Sequence, residues 1–227
     1  MPAPTRRLML ANLFSASLMC LSVAAAPALA QSGKNGFNGY ISAPAFNAAD
    51  KARIARATAY LQALSTGQGR FEQTDFRGRV TQGNWYLARP GKIRFEYDAP
   101  SSVLIVSDGS QVKMWDPRLK SFDAYPLSDT PLSLFLSKQI RFDEGVIVTA
   151  VTSSPSGFTL KARDRRKQIE GSVTMTFGQS ADGFLALRDW TIVDAQGRPT
   201  TVKLMSFTRD SRLSPDLFVL AKPTSKK

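Results

Sequence analysis

Between Gly83 and Gly109 the sequence GNWYLARPGKIRFEYDAPSSVLIVSDG leaves the chain few ways to fold. Trp85, Leu87 and Arg89 alternate with Asn84, Tyr86 and Ala88. Pro90-Gly91 then turns the chain, because Pro presets its own φ and Gly accepts a positive one. Ile93, Phe95 and Tyr97 alternate with Lys92, Arg94, Glu96 and Asp98, a two-residue period with one apolar and one charged face. Ala99-Pro100-Ser101 breaks that strand. Val103 to Val106 is apolar on both faces, which predicts burial on both sides or contact with a second layer. Ser107-Asp108-Gly109 is a hairpin signal before Gln111 to Trp115. The block reads as an antiparallel meander, and Trp85, Leu87, Ile93, Phe95 and Tyr97 are the candidate wall of whatever lies inside. Arg89 shares parity with Trp85 and Leu87. It either reaches solvent from a strand end or points into an apolar interior and caps something there.

Residues 1–30 do not read as fold. Arg6 and Arg7 form a basic start, Leu8 to Val23 is an apolar core, and Ala28-Leu29-Ala30 is a small-residue cleavage site before Gln31. This is a removable signal peptide, cleaved after Ala30. Asn12, Ser15, Ser17 and Ser22 make the run weak for a membrane span. Cys20 is no lipid attachment site, because Met19 precedes it where a small residue is wanted. The mature chain of about 197 residues fits one domain and holds no Cys and no His. It therefore forms no disulfide, although an exported compartment would permit one. Cleavage removes two arginines and no acid, so the net charge falls from +12 to +10. Export and the scatter of the basic residues argue against nucleic acid as partner. Their densest cluster, residues 161–167, is either a solvated hairpin tip or an attraction for anionic headgroups or an acidic protein.

Residues 31–46 are rich in Gly, Ser, Asn, Ala and Pro, and predict a mobile leader. Asn47 then offers an N-cap, with Asp50 in the first turn. Ile54, Ala57, Thr58, Leu61 and Leu64 recur at helical spacing, so an amphipathic helix is expected to Leu64, stopped by Ser65-Thr66-Gly67. From Arg70 the chain reads as β. The expected strands are Arg70 to Val80, the three runs above, Val112 to Trp115, Leu119 to Tyr125, Val146 to Thr152, Gly157 to Ala162, Ser172 to Phe177, Phe184 to Val193 and Thr200 to Phe207. A slip of alternation at Arg188-Asp189 predicts a bulge. Asp129-Thr130-Pro131 opens a short helix, with Pro at or near its first position. Leu132, Leu134, Phe135 and Leu136 make it apolar nearly all round, so it must be buried or laid across an apolar opening. The chain closes with Leu213 to Leu220 and a basic tail, 222–227. About eleven strands and two helices result, in one domain over 47–221.

The chemistry of catalysis is missing. Without His or a mature Cys there is no imidazole base, no thiol nucleophile and no His/Cys metal site. Phosphate-binding glycine loops and the G-x-S-x-G elbow are also absent. Asp143-Glu144 and Glu96/Asp98 are acids at turns, which are ordinarily solvated. The residues point to binding without cofactor or metal. A sheet of about eleven strands that closes or half-closes is either filled by its own side chains or keeps room for an apolar ligand such as an acyl chain.

The runs W-Y-L-A-R-P-G-K-I-R-F-E-Y-D-A-P, V-L-I-V-S-D-G and P-L-S-D-T-P-L, with Phe71-Glu72-Gln73 before them, resemble the LolA family of periplasmic outer-membrane lipoprotein carriers. The resemblance covers about Ala48 to Phe207. It implies a mainly β fold, an unclosed antiparallel β-barrel whose mouth is covered by helices, over a hydrophobic cavity for lipoprotein acyl chains. It implies a periplasmic monomer loaded by an inner-membrane ABC transporter and unloaded at an outer-membrane acceptor. The family's arginine before proline matches Arg89, which there bonds lid backbone and holds the empty cavity shut. The lid would be the Asn47–Leu64 helix, through Ile54, Leu61 and Leu64, and the 131–137 helix, through Leu132, Phe135 and Leu136. A lipid- or lipoprotein-binding sensor on the same fold is the alternative reading, and an enzyme acting on lipid a third.

Overall fold

The structure, a computed structural model, describes residues 44–130, 132–142, 146–164, 171–180 and 182–222. The signal peptide, most of the leader, Pro131, Asp143-Glu144, positions 165–167 of the basic cluster and the tail from 223 lie outside the described residues.

Helix α1 (Ala48–Ala63) starts as expected: the Asn47 side chain accepts from the Asp50 amide. Its buried side chains are Ala57, Tyr60 and Leu61. It ends within one residue of the expected Leu64, which is already extended as its C-cap. Ser65 links it directly to β1 (Thr66–Thr74). The strand expected over Arg70 to Val80 is therefore two pieces, β1 and the start of β2 (Val80–Ala88). Between them the buried Asp75 accepts from the amides of Arg77 and Arg79 at 2.9 and 3.0 Å and from Arg79 Nε at 2.8 Å. Gly78 supplies the positive φ that closes this turn. Asp194 repeats the device with Gln196, Gly197 and Arg198.

The remaining strands are β3 (Lys92–Tyr97), β4 (Leu104–Asp108), β5 (Gln111–Asp116), β6 (Ser121–Pro126), β7 (Val146–Ser154), β8 (Gly157–Asp164), β9 (Ser172–Gln179), β10 (Leu185–Val193), β11 (Pro199–Leu204) and the two-residue β12 (Thr208–Arg209). They form one antiparallel sheet in the order β6-β5-β4-β3-β2-β1-β11-β10-β9-β8-β7, with β12 on β1. Each half is a meander, and the halves join where β1 meets β11. Among the described residues β6 and β7 do not pair, so the barrel is unclosed. The connection from β6 to β7 must return from one edge to the other, and it carries helix α2 (Leu132–Leu136). The expected bulge is present: the β9/β10 register shifts between Leu187 and Asp189.

The inner face holds the core, with Phe71, Phe95, Leu160, Phe177 and Val202 all but inaccessible. Phe71 packs edge-on against Phe95 and Tyr97, with centroids 5.2 and 5.1 Å away. The segment after β12 forms a 3-10 helix, Pro215–Phe218, capped by Ser214. Arg94 donates to the Leu217 carbonyl at 3.0 Å, so this helix is anchored to β3. Val106 pairs with Arg94 across β3/β4 and shares its outward face. Val106 and Phe218 are both buried, which accounts for β4 being apolar on both faces.

Between β11 and β12 the chain folds inward across β1. The amides of Met205 and Ser206 both donate to the Arg70 carbonyl, and Ser206 Oγ accepts from the Arg70 amide. This crossing needs bare backbone beneath it. A Cβ on Gly69 would lie 2.0 Å from the Ser206 carbonyl oxygen, and one on Gly67 would lie 2.4 Å from the Phe207 ring. Gly69→Ala is therefore expected to cost about 2 kcal/mol or more of stability, because backbone must move to admit the methyl. Urea denaturation measures it, and an unchanged midpoint would contradict this packing.

Candidate functional site

The inner face is not packed solid where the middle strands of the sheet meet the two helices. Leu61, Leu64, Trp85, Leu87, Arg89, Ile93, Leu132, Phe135, Leu136, Leu187, Trp190, Leu204 and Phe207 line a cavity of about 60 Å³. That is room for a small number of waters, and it falls short of a whole fatty tail. Three of the expected wall residues, Trp85, Leu87 and Ile93, line it. Phe95 and Tyr97 do not. They belong to the filled part of the interior, where the Tyr97 hydroxyl donates to Gln73 Oε1 at 2.7 Å. Burial pushes the Tyr97 phenol above its ordinary pKa. Of the expected lid residues, Leu61, Leu64, Leu132, Phe135 and Leu136 line the cavity, whereas Ile54 packs against the core without reaching it. Leu187, Trp190, Leu204 and Phe207 complete the lining and were not among the sequence candidates.

Arg89 follows Ala88, the last residue of β2, and points inward with Trp85 and Leu87. Its Nη1 donates to the carbonyls of Leu61 and, at 3.3 Å, Leu64. Its Nη2 donates to the Ser137 carbonyl at 2.6 Å. These oxygens belong to the C-terminal ends of α1 and α2, where helix carbonyls lack intrahelical partners and the helix dipole is negative. Burial lowers the pKa of Arg89 from its ordinary value, yet a guanidinium keeps its charge. The next turn adds to this contact: the Gly91 amide donates to the Leu136 carbonyl at 2.8 Å. One β-turn thus holds the ends of both helices.

The helices are also tied to each other. Gln62 Nε2 donates to the Lys138 carbonyl at 3.0 Å, and Gln62 Oε1 accepts from the Ile140 amide at 2.8 Å. The sequence placed Gln62 off the apolar stripe and so offered no signal for this clasp. On the other flank the Arg209 guanidinium stands 4.6 Å from the centroid of the Tyr60 ring, joining β12 to α1. Among the described residues no group of three or more His, Cys, Asp or Glu side chains could hold a metal ion, and no helix is long and apolar enough to cross a membrane.

The family model described as "Outer membrane lipoprotein carrier protein LolA" matches residues 62–221. A protein of Pseudomonas syringae pv. syringae named outer-membrane lipoprotein carrier protein is 29% identical over 164 residues, covering 68% of this chain and 76% of that one. One of the same name from Methylobacillus flagellatus is 25% identical over 174 residues, covering 73% and 82%. Among solved structures, a LolA superfamily protein from Nitrosomonas europaea aligns with a TM-score of 0.43 at 10% identity, over 75% of this chain and 97% of that chain.

The Gln62 clasp is testable apart from Arg89. Gln62→Leu removes both bonds and leaves the Ile140 amide unpaired, at about 1–2 kcal/mol. Hydrogen exchange at the Ile140 amide and in the last turn of α1 is expected to quicken about tenfold. Unchanged protection there would show that the clasp does not hold the helices together.

Proposed function

The chain belongs to the LolA family, and on that footing we propose that it is a carrier that binds lipoproteins by their acyl chains and moves them through the periplasm from the inner to the outer membrane. An inner-membrane ABC transporter would load it and an outer-membrane acceptor would unload it. The chain would act as a monomer, without cofactor and without catalysis. The observation that carries this reading is Arg89: a half-buried cation in an apolar lining, bonded to the ends of the two helices that cover the cavity.

Magnitudes favour an exchange between lid and cargo. Burying a methylene is worth ~0.8 kcal/mol, so a ~16-carbon chain contributes on the order of 12 kcal/mol. In the closed form the lid buries Leu61, Leu64, Leu132 and Leu136. At about 1.5–3 kcal/mol per leucine, these four side chains are worth about 6–12 kcal/mol. The bonds of Arg89 add about 3 kcal/mol to the closed state. Cargo and lid would compete for the same wall of Trp85, Leu87, Ile93, Leu187 and Trp190 with nearly equal strength. A carrier needs that balance: it must hold its cargo through water and still give it up.

Two measurements test the reading. Protein purified from the periplasm is expected to co-elute with lipidated proteins that mass spectrometry identifies, and failure to bind any acylated protein or peptide would overturn the carrier role. Arg89→Leu is expected to load normally but to release cargo to acceptor membranes at least tenfold more slowly, because the closed empty state has lost its bonds. Release at the normal rate would remove the latch role from Arg89.

A further inference from the structure

The lining is apolar apart from a few nitrogens, and those nitrogens are unusual. Trp190 Nε1, Trp85 Nε1 and Arg89 Nε are buried donors with no hydrogen-bond partner in the protein. Trp190 is 7% exposed and Trp85 is 4% exposed. Buried N–H groups are nearly always paired, so three around one cavity call for an explanation. Trp85 Nε1 lies beside the floor, 3.0 Å from where a Cβ on Gly69 would stand. The other two belong to side chains in contact with the cover. The Trp190 ring packs on Phe135, with centroids 5.8 Å apart, and Arg89 bonds the carbonyl of Ser137 two residues further on. Arg89 is held at the same time by the Leu61 and Leu64 carbonyls at the end of α1, so displacing the cover releases both side chains.

Resting on the carrier reading above, we propose that Trp190 Nε1 and Arg89 Nε form a polar subsite for the carbonyl oxygens that join acyl chains to their cargo. The closed cavity has room for a few waters, which serve as acceptors for buried N–H groups. A hydrocarbon chain that displaced them would leave each donor unpaired, because methylenes accept nothing. An acyl chain has an ester or amide carbonyl at its head, where it joins the polar part of the lipid. Seating that carbonyl on the two N–H groups sets how deep the chain can slide. It also separates acyl cargo from equally greasy molecules without carbonyls. The subsite is then a determinant of selectivity and depth, while the apolar wall supplies most of the affinity.

The test compares two synthetic lipopeptides, one with hexadecanoyl esters on a glyceryl-cysteine and one with the same chains as hexadecyl ethers. The protein is expected to bind the ester form about fivefold or more tightly, the worth of one net hydrogen bond. In Trp190→Phe, which keeps an aromatic ring but loses the indole N–H, and in Arg89→Leu, which loses Nε, the preference is expected to shrink towards unity. The Trp190 indole N–H resonance is expected to move on loading with ester and not with ether, while Trp115 on β5 serves as internal reference. Equal binding of the two probes by the unaltered protein overturns the subsite and leaves the carrier standing. Binding of neither probe fails the carrier reading itself. A preference that survives in both variants takes the role away from these residues.

Discussion

A guanidinium placed inside an apolar shell must find oxygen. Arg89 finds it in the backbone of α1 and α2, through the carbonyls of Leu61, Leu64 and Ser137. That choice of partner shapes the rest of the molecule. An aspartate would have satisfied the charge locally and left the helices free. Carbonyls at two helix ends satisfy it only while both helices are seated, so the electrostatic requirement of one side chain becomes a restraint on the whole cover. These oxygens lie at helix ends, where carbonyls have spare acceptor capacity, so both sides gain from the contact.

Topology explains why a cover exists at all. Six strands run outward from β1 and five run back to β11, so the sheet's two free edges are consecutive in the chain. The link between them has to span the opening, and a stretch that spans an apolar opening must itself be apolar. This accounts for Leu132 and Leu136 being almost fully buried in so short a helix. At the other end of the chain order, α1 passes into β1 through Leu64 and Ser65 and is therefore fixed beside the same opening.

How much of this was legible follows from the range of the interactions. The meander from Trp85 to Trp115, the Asn47 cap and the Arg188 bulge are written in local alternation and capping chemistry, and the structure has each of them. The start of β1 was misread because Thr66-Gly67 has the composition of a helix stop. Gly67 is glycine for another reason, the Phe207 ring that lies against it from more than a hundred residues away. Leu187 and Trp190 were missed as lining because the bulge between them breaks the alternation that would have put them on one face. Phe95 and Tyr97 have the right parity for the cavity. Parity gives the face of a strand and not the depth along it, and at their depth Phe71 and Gln73 already fill the interior.

The two helices are not equivalent as covers. Helix α1 has sixteen residues, a side-chain cap and a contact to β12 through Tyr60, so its form depends less on the cavity. Helix α2 has five residues, far below the length at which a helix persists alone in water. Its conformation exists only because Leu132 and Leu136 are buried, Ser133 bonds back to Thr130, and Gly91 and Arg89 hold its end. Displacing it from the cavity removes the conditions for its being a helix at all. The free energy of opening then includes unfolding α2 as well as exposing its leucines, which sharpens the difference between shut and open. Such a cover has little reason to rest halfway. In the proposed exchange with an acyl chain, that favours two discrete states over a continuum of partial openings.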